Sequence, residues 1–359
     1  MPVDLFPVEN PDQFDSPSLL VDAGRVRENI RRAVALGGDA NRLRPHVKTH
    51  KMRAVTDLLL ASGLHKFKCA TPAEARMLAE AGAPDVLLAY PVVGPNRERL
   101  RHLRAEFPGT RFAALVDHPD AARDLSALFA SSPLGVFLDL NVGMNRTGLA
   151  AHDAVPFYHF CHTLPGLRVV GLHGYDGHVR DTDLTERTQW ADASFALVEK
   201  TRQQLGNRAL TVVMGGTPTF SIHGRRPGVE ASPGTFVFWD AGYGHLFPDL
   251  PFAIAAVLLT RVISVVNETT LCLDLGHKSV AAENPLPRVV FPDHPEAVPV
   301  AQSEEHLVVR LPDARAHRPG EVWLGVPVHI CPTVNLYDRV HVVENSRYVT
   351  DWAVTARGH

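Results

Sequence analysis

From about residue 20 to about residue 245 the chain repeats one grammar, a short apolar run followed by a helical pattern. That alternation predicts strand–helix units around a parallel sheet. The apolar runs at 44–48, 66–70, 86–90, 111–116, 136–140, 168–173, 211–214 and 236–239 number eight, the count of a closed (β/α)8 TIM-type barrel in an α/β fold. Helix starts are readable between them. Thr71, Pro72 and Glu74 supply a cap, a first-turn proline and the acid three residues after the cap, and Gly82 stops the Ala-rich run that follows. After about residue 246 the grammar changes to β-branched runs at 254–266, 269–275, 306–310, 322–324 and 339–343, separated by Pro, Gly and Asn turns. This predicts a second, β-rich C-terminal domain. The strand pattern at 18–22 precedes the barrel and is expected to pack in the β-rich domain, making that domain discontinuous, so the division reads as a barrel over 20–245 and a β-rich domain of 1–19 plus 246–359.

Composition narrows the function classes. Lys+Arg total 36 against 39 Asp+Glu, a net charge of −3, which argues against nucleic acid as the main partner. The apolar runs are strand-sized and far short of the roughly 20 residues of a membrane span, so no membrane role is expected. The opening MPVDLFPVENPDQF has no leader character, and Cys69, Cys161, Cys272 and Cys331 form no CxxC pair; a reducing cytoplasm is the expected setting. The oddity is histidine, nineteen in all.

Several motifs carry chemistry. The first barrel run ends in HVKTHK, which sets Lys48 between His46 and His50 at a strand end. Such a lysine is either a depressed-pKa amine suited to imine formation or an ordinary solvated residue. Gly215, Gly216 and Thr217 follow the seventh run, and Gly234 and Thr235 precede the eighth. Gly-Thr turns there form either an anion cradle or simple tight turns. Arg146 can hold a phenolate or carboxylate, or pair with a nearby acid; His173 or Tyr175 can pack on an aromatic ring, or sit as satisfied core residues. In an extended segment His329 and Cys331 point to one side and can share a metal ion, zinc best and manganese less well, though an isolated HxC also arises by chance.

Taken together, SPSLLVD, LRPHVKTHK, KCATPAEA, LLAYPVVG, GMNRTG, GLHGYDGH, GGTPTF, SPGTFVFWDAGY and HICPTVNLYD span nearly the whole chain in order. In these the chain resembles the D-threonine aldolase and D-serine dehydratase family of pyridoxal-phosphate enzymes, which have the alanine-racemase type of barrel (fold type III). The resemblance implies that Lys48 carries the cofactor as a Schiff base, with Arg146 near its phenolic oxygen and His173 against its ring; Tyr175 remains a further candidate for cofactor contact. It also implies a phosphate cradle of Gly215, Gly216, Thr217, Gly234 and Thr235. His329 and Cys331 would hold a divalent metal, zinc foremost and manganese or magnesium as alternatives, with His50 as a proton acceptor beside it. In alanine racemases an arginine that contacts the pyridine nitrogen stands where this chain has Ser232, which disfavours racemisation. The implied activity is a lyase on small β-hydroxy-D-amino acids, an aldolase ahead of a dehydratase, in a homodimer. A pyridoxal-phosphate carrier or homeostasis protein is the non-enzyme contrast, but such proteins lack a second domain.

Overall fold

The computed structural model describes residues 4–359; residues 1–3, part of the N-terminal segment read with the β-rich domain, lie outside the described residues. The chain divides into two compact units. One comprises Ala33–Lys48, Thr56–Gly234 and Gly358–His359, the other the chain up to Arg32, Thr49–Val55 and Thr235–Arg357. These boundaries differ from the division at 19/20 and 245/246, and the physical reason is long-range bonding that no local pattern reveals. Thr49–Val55 belongs to the strand-rich unit, where Ala356 N donates to Lys51 O (3.1 Å) and Lys51 Nζ to Ala356 O (3.3 Å).

Strand β1 (Ser18–Asp22) belongs to the strand-rich unit. The barrel unit holds β2 (Lys66–Cys69), β3 (Asp85–Pro91), β4 (Arg111–Val116), β5 (Leu134–Leu140), β6 (Leu167–Gly174), β7 (Thr211–Met214) and β8 (Val229–Ala231), each parallel to the next, in one curled seven-stranded sheet. Inside it, Leu87, Ala113, Leu115, Phe137 and Val213 are buried together; each large side chain removed from water there contributes roughly 1.5–3 kcal/mol. The helix Pro72–Glu80 begins as its sequence dictates: Thr71 Oγ1 accepts from Glu74 N (3.2 Å), Glu74 Oε2 accepts from Ala70 N (2.6 Å), and Gly82 follows at φ +82°.

Two of the eight expected strands are corrected. The 44–48 run makes only isolated parallel bridges, Leu43 with Ala231 and His46 with Lys68. Arg44 N donates to Ala231 O (2.9 Å), His46 N to Pro233 O (2.8 Å) and Lys68 N to Pro45 O (2.9 Å), so this segment joins the two edges of the sheet. Pro45 and Pro233 have no N–H, and a continuous ladder is impossible there. The last strand is Val229–Ala231, whereas Thr235–Val237 is a short 3-10 turn. Phe236, Val237, Phe238 and Trp239 are apolar because all four are buried; a short apolar run does not distinguish a strand from a buried turn.

The strand-rich unit contains β9 (Ala256–Asn267), β10 (Thr270–Leu273), β11 (Val289–Val290), β12 (Val298–Gln302), β13 (Leu307–Arg310), β14 (Val322–Pro327), β15 (Arg339–Glu344) and β16 (Arg347–Ala353). β1 lies between β9, to which it is antiparallel, and β15, to which it is parallel. β14 pairs with β9 and β11. Among the described residues no helix is long and apolar enough to cross a membrane.

Candidate active site

In the barrel unit the chemistry-bearing side chains gather around Tyr175, the residue after β6. Lys48 Nζ lies 5.7 Å from the Tyr175 ring centroid, Lys68 Nζ 5.8 Å and the Arg146 guanidinium 5.0 Å. Lys48 sits in the 3-10 turn Val47–Thr49, half-buried, and Lys68 is completely buried near the end of β2. Among the described residues neither ammonium makes a hydrogen bond or an ion pair. Three cations around one aromatic ring are attracted to its quadrupole but repel one another. Burial, with repulsion from Lys48 and Arg44, pushes Lys68 down to about 7 against the attraction of Asp139 and Asp176.

Beside the ring are two buried carboxylate–imidazole pairs. Asp139 Oδ1 is 2.7 Å from His173 Nδ1, and Asp139 Oδ2 accepts from Thr147 Oγ1 (2.8 Å). Burial would raise Asp139, but these bonds and Lys68 hold it below the usual carboxylate range. Burial also keeps His173 below the ordinary imidazole value despite Asp139, so it is neutral, with Nδ1–H donated to the carboxylate. Its Nε2 is buried without a partner among the described residues. In the second pair Asp176 Oδ2 is 2.7 Å from His223 Nε2, and Asp176 Oδ1 accepts from Thr219 Oγ1 (2.9 Å).

The glycine turns are held by local geometry. Gly215 donates its N–H to Gly174 O (3.1 Å) and has φ +80°; a Cβ there would come within 2.8 Å of Thr219 Oγ1 and His223 Cδ2. Its glycine is thus required by backbone conformation and crowding. A Cβ on Gly216 would stand 3.0 Å from Tyr175. Gly234 N donates to Thr217 Oγ1 (2.9 Å), tying the two turns together. Ser232 Oγ donates to Arg44 O (2.8 Å).

The strand-rich unit holds the other candidates. His329 precedes the short helix Ile330–Val334, which carries Cys331 in its first turn. His329 Nδ1 is 2.5 Å from Glu283 Oε1. Cys331 Sγ is 3.1 Å from Thr49 Oγ1 and 3.5 Å from Thr235 Oγ1, so Thr235 stands at the thiol. Burial opposes charge on both members, yet each stabilises the other: His329 is pushed up to about 9 by Cys331, Glu283 and Asp240, and the Cys331 thiol is held below its ordinary value by His329, Thr235 and Thr49. Each group thus favours the charged form of the other. His50 is buried, its Nδ1 accepting from Met52 N (3.1 Å), and burial with Lys51 drives it to about 3.

These features fit the groups the resemblance implies. A cation trio in which neither lysine has an ion-pair partner among the described residues, with an orphaned imidazole nitrogen, suits an anionic ring-bearing cofactor, and an imidazole near a thiol suits zinc. Sequence reasoning missed Lys68, Asp139, Asp176 and His223; the signal for Asp139 and Lys68 was a charged residue inside an apolar barrel strand. A cavity of about 560 Å³ opens at the other, amino-terminal end of the strands, lined by Arg44, Asp85, Arg111, Arg168 and Glu230. Arg44 pairs there with Asp85 and Glu230 (both 2.7 Å), a structural network remote from the strand ends where barrel chemistry is placed.

Curled parallel barrel, cation-ringed tyrosine and lysine turn define a class: pyridoxal-phosphate enzymes of the alanine-racemase fold. The family model described as alanine racemase, N-terminal domain, matches residues 21–241, and that described as putative serine dehydratase domain matches 255–343. The chain is 30% identical to a D-threonine aldolase of Arthrobacter sp over 96% of this chain and 93% of that one. It is 29% identical to a 3-hydroxy-D-aspartate aldolase of Paracoccus denitrificans over the same shares. The crystal structure of D-threonine aldolase from Filomicrobium marinum superposes with a TM-score of 0.89 at 30% identity, covering 100% of this chain and 99% of that one. The chain therefore belongs to the D-threonine aldolase and D-serine dehydratase family of pyridoxal-phosphate-dependent lyases.

Proposed function

We propose that this lyase cleaves β-hydroxy-D-amino acids by a retro-aldol reaction, with D-threonine giving glycine and acetaldehyde, in a barrel domain that binds pyridoxal phosphate and a β-rich domain that binds a divalent metal. The observation that carries the reading is the near end-to-end likeness to D-threonine aldolases, joined to the cation cluster around Tyr175. When bound, pyridoxal phosphate supplies an electron sink for the pair left on Cα as Cα–Cβ breaks.

The chain's own residues do the rest. Lys48 holds the cofactor, and Lys68 and Arg146 offer positive charge to its oxygens. Asp139 fixes His173 in one tautomer, which keeps a neutral imidazole and the Tyr175 ring available to pack against a heterocycle. Gly215, Gly216, Thr217 and Gly234 shape the phosphate turn. His329 and Cys331 bind the metal, zinc in preference to manganese or magnesium, with Thr49 and Thr235 supporting the thiolate. The substrate hydroxyl must lose a proton as the carbon–carbon bond breaks. His50 is neutral and can accept it, but a value of about 3 suits a relay better than a resting proton store.

A dehydratase is the second reading, favoured by Cys331 and by the serine-dehydratase match over 255–343. Purified, metal-loaded protein given D-threonine and D-serine separates them. Glycine plus acetaldehyde supports the aldolase, pyruvate from D-serine the dehydratase, and neither product refutes both. A cytoplasmic homodimer completes the proposal, and sedimentation of the purified protein tests its oligomeric part.

A further inference from the structure

His294, Glu296 and His317 bring two imidazoles and a carboxylate together in the strand-rich unit, each offering a ligand atom within 4.8 Å of the other two. None belongs to the His329–Cys331 pair. They come from two irregular segments, the turn between β11 and β12 and the end of the short helix Ala314–Ala316. Packing fixes the rings. His294 stacks on Trp323 (centroids 3.8 Å apart, interplanar angle 16°), while His317 stands edge-on to both Trp323 (5.2 Å) and His294 (5.3 Å). Trp323 is a buried floor within β14. Glu321 ties the group together, accepting from His317 Nδ1 (2.8 Å) and Trp323 Nε1 (3.0 Å). An imidazole whose Nδ1 is held by a carboxylate presents Nε2 as a ligand, the arrangement common around metal-bound histidines. Neither the His294 ring nor the Glu296 carboxylate makes a hydrogen bond or ion pair among the described residues. A tetrahedral zinc with bonds of about 2.1 Å needs ligand atoms roughly 3.4 Å apart, so binding must draw together atoms that lie within 4.8 Å of one another.

We propose that His294, Glu296 and His317 form a second divalent-metal site, taking zinc in an N2O set with water as the fourth ligand. Two imidazoles select zinc, cobalt or nickel over magnesium or manganese. The ion staples two turns that have no ladder of their own, so its role is structural and independent of the proposed cleavage.

The test starts from a His329→Ala/Cys331→Ser chain, which lacks the other pair. Calorimetric titration with zinc, and with cobalt followed by its visible absorption, is expected to show one ion bound per chain and a rise in Tm on loading. His294→Phe keeps an aromatic ring on Trp323 but offers no nitrogen. In that background it should abolish binding and the metal-dependent Tm rise while leaving the metal-free Tm unchanged, and Glu296→Gln should weaken binding about tenfold or more. Made in the otherwise native chain, His294→Phe should lower the metal content by one ion per chain. Failure of the starting chain to bind any ion, or an ion that survives His294→Phe combined with His317→Asn, would overturn the proposal.

Discussion

Replacing Lys68 by Met probes the electrostatics of the barrel directly. Lys68 is 3% exposed, and burial together with Lys48 and Arg44 lowers it from 10.5 to about 7. A lysine in the unfolded chain keeps its ordinary value, so folding expels a proton. Stability associated with this group is complete above about 10.5 and is lost as the pH falls towards 7. At about 1.4 kcal/mol for each pH unit between the two values, holding Lys68 in place costs roughly 4 kcal/mol at neutral pH and about 1 kcal/mol at pH 10. Methionine has similar reach and no charge. Urea unfolding of the apoprotein, followed by tryptophan fluorescence at both pH values, should therefore find Lys68→Met more stable at pH 7, with the advantage shrinking by several-fold at pH 10. Added pyridoxal phosphate should stabilise the native chain more than the variant, because its anionic oxygens offset the cation cluster. A variant no more stable than the parent at pH 7, or an advantage independent of pH, would refute the argument.

Lys48→Ala should remove the visible absorbance of bound pyridoxal phosphate while Lys51→Ala keeps it, since Lys51 Nζ is already bonded to Ala356 O; colour persisting in Lys48→Ala would mean another lysine holds the cofactor. Asp139→Asn removes a charge-assisted hydrogen bond to His173, worth about 1.5–3 kcal/mol. Cofactor affinity should then fall roughly 10–100-fold with circular dichroism unchanged, and an unaltered affinity would show that Asp139 positions nothing. In metal-free protein the His329 proton, held to about 9 by Cys331 and Glu283 against burial, should titrate nearer the ordinary imidazole value in Cys331→Ser, as read by NMR. Because that folded value is raised, the pair's stabilisation is complete below about 6.5 and disappears as the pH rises through 9 in the native chain. In the variant that loss should be smaller, since only Glu283 and Asp240 still raise the imidazole.

Much of the barrel was legible because its signals are local. Thr71, Pro72 and Glu74 cap a helix whatever surrounds them, and the apolar runs of β4 and β7 match the observed strands residue for residue. The first and last staves were misplaced for opposite reasons. Pro45 and Pro233 break a ladder whose partners lie far away in sequence, and the apolar stretch Phe236–Trp239 fills a core as a turn. Candidate site residues followed the same divide. Lys48, Arg146, His173 and Tyr175 stood out by motif and gather in one place, whereas Lys68 looked like any strand lysine until burial set it beside two other cations. Thr235 was read with the phosphate turn, and its hydroxyl is found on the Cys331 thiol.

By itself the sequence determined the alternation that makes a parallel barrel, the second strand-rich part, and the motifs that mark a pyridoxal-phosphate lyase. The first two depend on periodicity and caps, which act over a few residues, and the motifs mark the lyase through their resemblance to a known family. Only the tertiary structure decided which charges lose their water and which partners they find: Asp139 on His173, Asp176 on His223, Cys331 against Thr49 and Thr235, and His294 stacked on Trp323. Desolvation and most of these pairings are set by residues tens to hundreds of positions apart, which no pattern within a single segment encodes.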